Sequence, residues 1–146
     1  MLECVINISE GRDEAIVGLI AGAAGDDLLD VHSDPHHHRA VLTLVGEAAP
    51  RAVTTTAIEL LDLRSHDGVH PRLGVVDVVP FIALAGSSRA DALAARDRFA
   101  AWLAATHVVP CFLYGPERTL PEVRRGAFEA LAPDVGPPAP HPRAGA

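Results

Sequence analysis

Lysine is absent from this chain, so all 12 of its fixed positive charges are arginines. That excludes lysine Schiff-base chemistry outright, because the imine needs a primary amine on the protein. Positive charge is also outnumbered, with 19 acidic residues and a net charge of −7. This argues against nucleic acid as a partner, since phosphate binding wants a basic face. Cysteine is scarce. Cys4 and Cys111 each fall in an apolar run that reads as a strand, where buried thiols are expected rather than a disulfide. No stretch approaches the roughly 20 apolar residues of a membrane span. Met1 is not followed by a basic-then-apolar signal region. A cytoplasmic location with no membrane partner is therefore expected. No internal repeat is present.

What the chain does have is length for one domain with a real core, at 146 residues. Glu3 to Ile8 reads as a first strand, and Asp13 and Glu14 favour a helix N-terminus after it. Ile16, Leu19, Ile20, Ala23 and Ala24 recur at helical spacing. Leu28 to His32 and Ala40 to Gly46 read as a long hairpin around Ser33-Asp34-Pro35 and His36-His37-His38-Arg39. Pro50 opens a second helix that ends near Leu63. Val75 to Leu84 reads as a buried or central strand, with Pro80 at a bulge or at its end. Ser88 and Asp91 start a long helix, and Val108 to Tyr114 reads as another strand. Thr119 and Glu122 form a capping box for a last helix reaching about Leu131. The order predicts an α/β (α+β) sandwich, a ferredoxin-like mixed sheet with helices mainly on one face. The domain is expected over residues 1–132, with an irregular Pro/Gly-rich tail over 133–146.

Between the second helix and the apolar run lies Ser65-His66-Asp67-Gly68-Val69-His70-Pro71-Arg72-Leu73-Gly74. Titratable residues in a loop at the lip of a buried strand are where binding and catalytic groups sit. His66 and His70 admit three readings. They bind zinc with His36 to His38; they satisfy loop backbone groups; or one of them is a general base. Gly68 and Pro71 argue against the helical His-x-x-x-His form of a metal site. An imidazole with a reference pKa of about 6.5 takes and returns a proton in one cycle, which favours the base reading. Arg72 either braces the loop by pairing with Asp67 or Asp77, or clamps a carboxylate bidentately. Arg39 has the same two readings. Asp30 either caps a turn, orients a histidine or binds an amine. Asp77, inside an apolar strand, needs a partner from Arg72 or a backbone donor.

His70-Pro71-Arg72-Leu73-Gly74 with Asp77 and Pro80-Phe81 resembles the signature of the formiminotransferase family, N-terminal subdomain. Asn7-Ile8-Ser9-Glu10-Gly11-Arg12, Leu29-Asp30-Val31 with Arg39 and Gly46, Leu113-Tyr114-Gly115, Thr119-Leu120-Pro121 and Pro133-Asp134-Val135-Gly136-Pro137 agree in the same order. The resemblance implies a glutamate formimidoyltransferase of one-carbon metabolism and histidine catabolism. Such an enzyme moves a formimino group from N-formimino-L-glutamate to N5 of tetrahydrofolate, with folate as co-substrate and no metal expected. It implies His70 as the acid/base, and Asp30, Arg39, His66 and Arg72 as substrate-binding residues. Gly136, Pro137, Pro142, Arg143, Ala144 and Gly145 are implied to border the folate.

Two departures stand out. His38 occupies a position where the family usually has asparagine, and Ile6 one where it usually has proline. In the family the folate lies between this subdomain and a second one, so a homodimer or a separate partner is expected to complete the site. The rival reading is a non-catalytic folate-binding or regulatory module. A weaker third is a metal-dependent enzyme.

Overall fold

Strand β1 (Leu2–Ile8) carries the alternation that organises the molecule. Cys4, Ile6 and Ile8 are fully buried, while Val5 and Asn7 on the other face are half-buried. The computed structural model describes residues 1–69 and 72–146. Strand β3 (Arg39–Val45) pairs with β1, setting Leu42 against Ile6 and Leu44 against Cys4, so the inward side chains form one patch. Strand β2 (Leu28–Asp34) continues the sheet beyond β3. On the other side of β1 lie β4 (Val76–Val78) and then β5 (Phe81–Ala83). Pro80 splits these two, having no N–H to give the ladder; its carbonyl still accepts from Val5 N–H at 3.3 Å.

The order β2-β3-β1-β4 is the ferredoxin-like arrangement. Every described pairing between these strands is antiparallel, which corrects the mixed sheet expected from sequence. Each helical crossover joins strands that are not neighbours, so the strands that do meet run in opposite directions.

The helices are α1 (Glu14–Gly22), α2 (Ala48–Leu60), α3 (Arg89–His107) and α4 (Leu120–Gly126). Asp13 caps α1 by accepting from Ala15 and Ile16 N–H, and the capping boxes Ser88/Asp91 and Thr119/Glu122 both form. Pro50 sits in the first turn of α2, where no intrahelical N–H bond is lost. Val17 and Ile20 of α1, Val53 and Ala57 of α2, and Phe99 and Leu103 of α3 join the inward strand residues in one core. Each large aliphatic side chain buried there contributes about 1.5–3 kcal/mol. The other face of the sheet presents the rows Asp30–Thr43–Val5 and His32–Val41–Asn7–Val78.

Three expectations change. Val75 to Leu84 lies at the outer position of the described sheet; its apolar character comes from α3, with Phe99 tilted on Phe81 at 5.9 Å. Val108 to Tyr114 forms no strand. Val108 takes a left-handed turn (φ +58°) after α3, Pro110 lacks a donor, and Cys111 pairs with Val135 of the tail instead. Helix α4 stops at Gly126 because the chain folds back there. Leu131 N–H bonds the Gly126 carbonyl at 2.8 Å, and the Leu131 side chain fills the space a Cβ at 126 would need. Cys4 and Cys111 are free thiols, both pushed up to about 12 by burial.

Candidate functional site

The end of β1, the β2–β3 turn, the loop after α2 and the C-terminal tail meet at one edge of the sheet. Ser9 begins the assembly: its N–H donates to the Val75 carbonyl at 2.8 Å and its hydroxyl to the Gly74 carbonyl at 2.7 Å. Glu10 follows, almost buried. One of its carboxylate oxygens accepts from Arg12 N–H (2.8 Å), Asp13 N–H (3.0 Å) and His38 Nε2 (3.1 Å). Burial pushes this carboxyl up, but the two backbone donors and the His38 ring outweigh it and hold it below its usual range. Gly11 lies so close to the β2–β3 turn that a Cβ would collide with the backbone of Arg39 and Asp34.

Arg12 then bridges two segments. Its guanidinium donates to the Pro35 carbonyl (2.9 Å) and to the Asp67 carboxylate (2.6 Å), and this contact holds the Asp67 carboxyl below its usual range. The turn itself is fixed by Asp34, which accepts from His37 N–H at 3.0 Å and pairs with the His37 ring at 2.5 Å.

His66 has both ring nitrogens on backbone groups. Nε2 donates to the His38 carbonyl at 2.7 Å, and Nδ1 accepts from Gly68 N–H at 3.3 Å. This is the neutral Nε2–H tautomer. Burial pushes its pKa down, reinforced by nearby Arg72 and His38 and opposed by the bond to the His38 carbonyl. Gly68 is pressed on the same turn: a Cβ there would lie 2.5 Å from the His37 carbonyl oxygen. Arg72 donates to the Gly68 carbonyl at 3.0 Å and the His66 carbonyl at 2.7 Å, closing the loop on itself.

The carboxylates expected to pair with Arg72 have other cations. Asp67 is bound by Arg12, and Asp77, 3% exposed, by Arg124 at 2.6 Å. Asp77 also accepts from Leu73 N–H (2.5 Å) and Gly74 N–H (3.3 Å), so a backbone donor supplies the partner that its buried position demands.

The other sequence candidates are distributed as follows. His70 and Pro71 lie outside the described residues. Arg39 opens β3 opposite Asp34, half-buried. Asp30 is exposed on the helix-free face of β2, opposite Thr43, several residues before the turn. In the tail, residues 142–145 reach the loop: the carbonyls of Arg143 and Ala144 accept from Leu63 N–H (2.8 Å) and Val75 N–H (2.9 Å). His141 folds this segment by accepting from Arg143 and Ala144 N–H. Ala144 and Gly145 are buried in that pairing, and Arg143 stays exposed near Asp62. Gly136 packs elsewhere, beside Ala104, Val109 and Pro110, with Pro137 next to it in the chain. Sequence reasoning missed the functional geometry of Glu10, Arg12 and Arg124. Glu10 and Arg12 were visible only as parts of a turn motif, and nothing local marks Arg124. Among the described residues no three His, Cys, Asp or Glu side chains are grouped to hold a metal ion.

Fold and site together define a ferredoxin-like α+β domain whose polar loop is clamped between a strand end, a hairpin turn and its own tail. The family model for the formiminotransferase domain, N-terminal subdomain, matches residues 1–146, and the chain belongs to that family. It is 37% identical over 161 residues to formimidoyltransferase-cyclodeaminase of Rattus norvegicus, covering 94% of this chain and 30% of that protein. It is 35% identical over 169 residues to glutamate formimidoyltransferase of Streptococcus pyogenes serotype M1, covering 99% of this chain and 56% of that protein. The glutamate formimidoyltransferase of Thermoplasma acidophilum is 41% identical over 93 residues, covering 58% of this chain and 31% of that protein. The chain thus spans from under a third to just over half the length of these relatives.

Proposed function

We propose that this chain forms one wall of the site of a glutamate formimidoyltransferase. The substrates are N-formimino-L-glutamate and tetrahydrofolate, and His70 is the acid/base. The observation that carries the reading is the built loop at residues 66–69 and 72–74, in a chain whose family match runs over its whole length. N5 of tetrahydrofolate attacks the amidine carbon of the donor, and the new C–N bond forms as His70 takes the N5 proton. His70 then returns that proton to the glutamate nitrogen, the old C–N bond breaks, and L-glutamate and 5-formiminotetrahydrofolate leave. Neutral imidazole is regenerated. Arg39 and Arg143 are the carboxylate contacts in this scheme. Arg72 has its guanidinium on loop carbonyls and acts by holding the loop.

A second wall is part of the proposal. Two cavities beside α3 measure about 90 and 190 Å³, below the roughly 300–1,000 Å³ of sites that enclose drug-sized ligands. The helix-free face of the sheet, with Asn7, His32 and Thr43 on it, is the surface for the ligand and for the partner subdomain or second copy that covers it. The test is tetrahydrofolate titration and formimino transfer by the chain, alone and with a C-terminal-subdomain chain from a relative. Transfer in either setting supports the reading. Tight folate binding without turnover in any pairing makes the chain a binding module instead, and no binding at all refutes both.

A further inference from the structure

His38 grips His66 twice. Its carbonyl accepts from His66 Nε2 at 2.7 Å, and its ring stacks on the His66 ring with centroids 4.1 Å apart and planes 15° from parallel. To do so it adopts φ +54°, a left-handed conformation that costs a non-glycine residue about 1–2 kcal/mol. The ring is held edge-on, its side chain 12% exposed, with Nε2 3.1 Å from Glu10 and Nδ1 3.6 Å from the Asp67 carboxylate. Glu10 does not need this ring to be satisfied, since two backbone N–H groups already reach it. Among the described residues, the charged and titratable groups around the pair come from three segments: Glu10 and Arg12 from the end of β1, Asp34, His37 and Arg39 from the turn, and Asp67 and Arg72 from the loop.

We propose that His38, held by Glu10, is a positioning residue: it seats His66 and thereby sets the backbone of residues 66–69, immediately before His70. Its kinetic consequence rests on the transferase reading; the seating of His66 does not. The sequence marks this position only as the middle of a histidine run. The three histidines differ in their described neighbours: His37 is turned to Asp34 and edge-on to His36, while His38 is stacked on His66 of the loop. Burial is the main cause that pushes the His66 pKa down, and the His38 ring supplies one face of that burial.

The experiment is nitrogen-15 imidazole and amide spectroscopy of the full chain with His38→Gly and Glu10→Gln. Glycine keeps the left-handed backbone and its carbonyl while removing the ring; glutamine leaves the turn unchanged and removes the anionic grip. In the wild type, His66 is expected as the Nε2–H tautomer. In H38G its titration moves up toward that of an ordinary histidine and the amides of Asp67, Gly68 and Val69 shift; E10Q shifts the same amides less, while loss of the Glu10 charge, which raises His66, opposes any upward move of its titration. In the transfer assay kcat falls about 10- to 100-fold, as for a small misplacement of reacting groups, with KM for the formimino donor within about twofold. Unchanged His66 signals in both variants overturn the proposal whether or not the chain transfers anything. So does a moved His66 with kcat intact. A moved His66 in a chain whose wild type neither binds folate nor transfers upholds the seating and refutes the transferase reading.

Discussion

Asp77→Asn tests whether the loop is anchored from below by the carboxylate that this account assigns to it. Asp77 is 3% exposed and Arg124 22%. Removing one partner of a buried pair costs about 3–5 kcal/mol. Arg124 reaches solvent and recovers part of that, so the lower end applies. Asparagine keeps an oxygen for Leu73 and Gly74 N–H, which preserves those bonds, and turns an NH₂ group toward the guanidinium. The expected loss is about 2–3 kcal/mol in denaturant unfolding, or about 4–10 °C in Tm for a domain of this size. Asp77→Ala also strands two backbone donors and is expected to lose about 2 kcal/mol more. Combining D77N with Arg124→Met should cost less than the sum of the two single changes, because the pair is removed together. A D77N protein within about 0.5 kcal/mol of wild type, or strict additivity in the cycle, would refute the anchoring.

Other outcomes follow from the same contacts. Gly11→Ala drives a Cβ into the backbone of Arg39 and Asp34; a loss of about 3 kcal/mol or a failure to fold is expected, and a neutral unfolding curve contradicts it. Glu10 and His66 both have depressed folded-state values, so each binds protons more readily when unfolded. Their contribution to stability is complete above the ordinary values of 4.5 for Glu10 and 6.5 for His66, and it drains away as pH falls through the folded ones. Denaturant midpoints should therefore rise with pH up to about 6.5 and then level off for these groups; a midpoint that falls over that range contradicts the assignment. His141→Ala removes the acceptor for Arg143 and Ala144 N–H. Hydrogen exchange at Ala144 and Ala146 should speed up about 5- to 30-fold, corresponding to about 1–2 kcal/mol of local stability.

What was legible in the sequence was what local pattern controls. The period-two burial of Cys4, Ile6 and Ile8, the capping boxes at Ser88 and Thr119, and the break at Pro80 each depend on residues within a few positions of one another. The β1-α1-β2-β3-α2-β4 order then leaves few topologies. The strand expected at Val108 to Tyr114 failed because an apolar run reports burial and not the identity of its partner. That segment is buried by α3 and the tail, with Cys111 bonded to Val135. The site was half legible. The loop and its residue types stood out, and so did the departure at His38. The contacts that give those residues their roles span long separations: Glu10 to His38, Arg12 to Asp67, Arg124 to Asp77. Arg72 shows the limit, since both carboxylates near it in sequence are bound by arginines far along the chain.

The most direct measurement is formimino transfer by His70→Ala beside wild type, with tetrahydrofolate affinity followed in the same samples. Wild type, alone or with its covering partner, is expected to transfer the group, and the variant to keep folate affinity within about threefold while kcat drops about 100-fold or more. Turnover in the variant equal to wild type contradicts it.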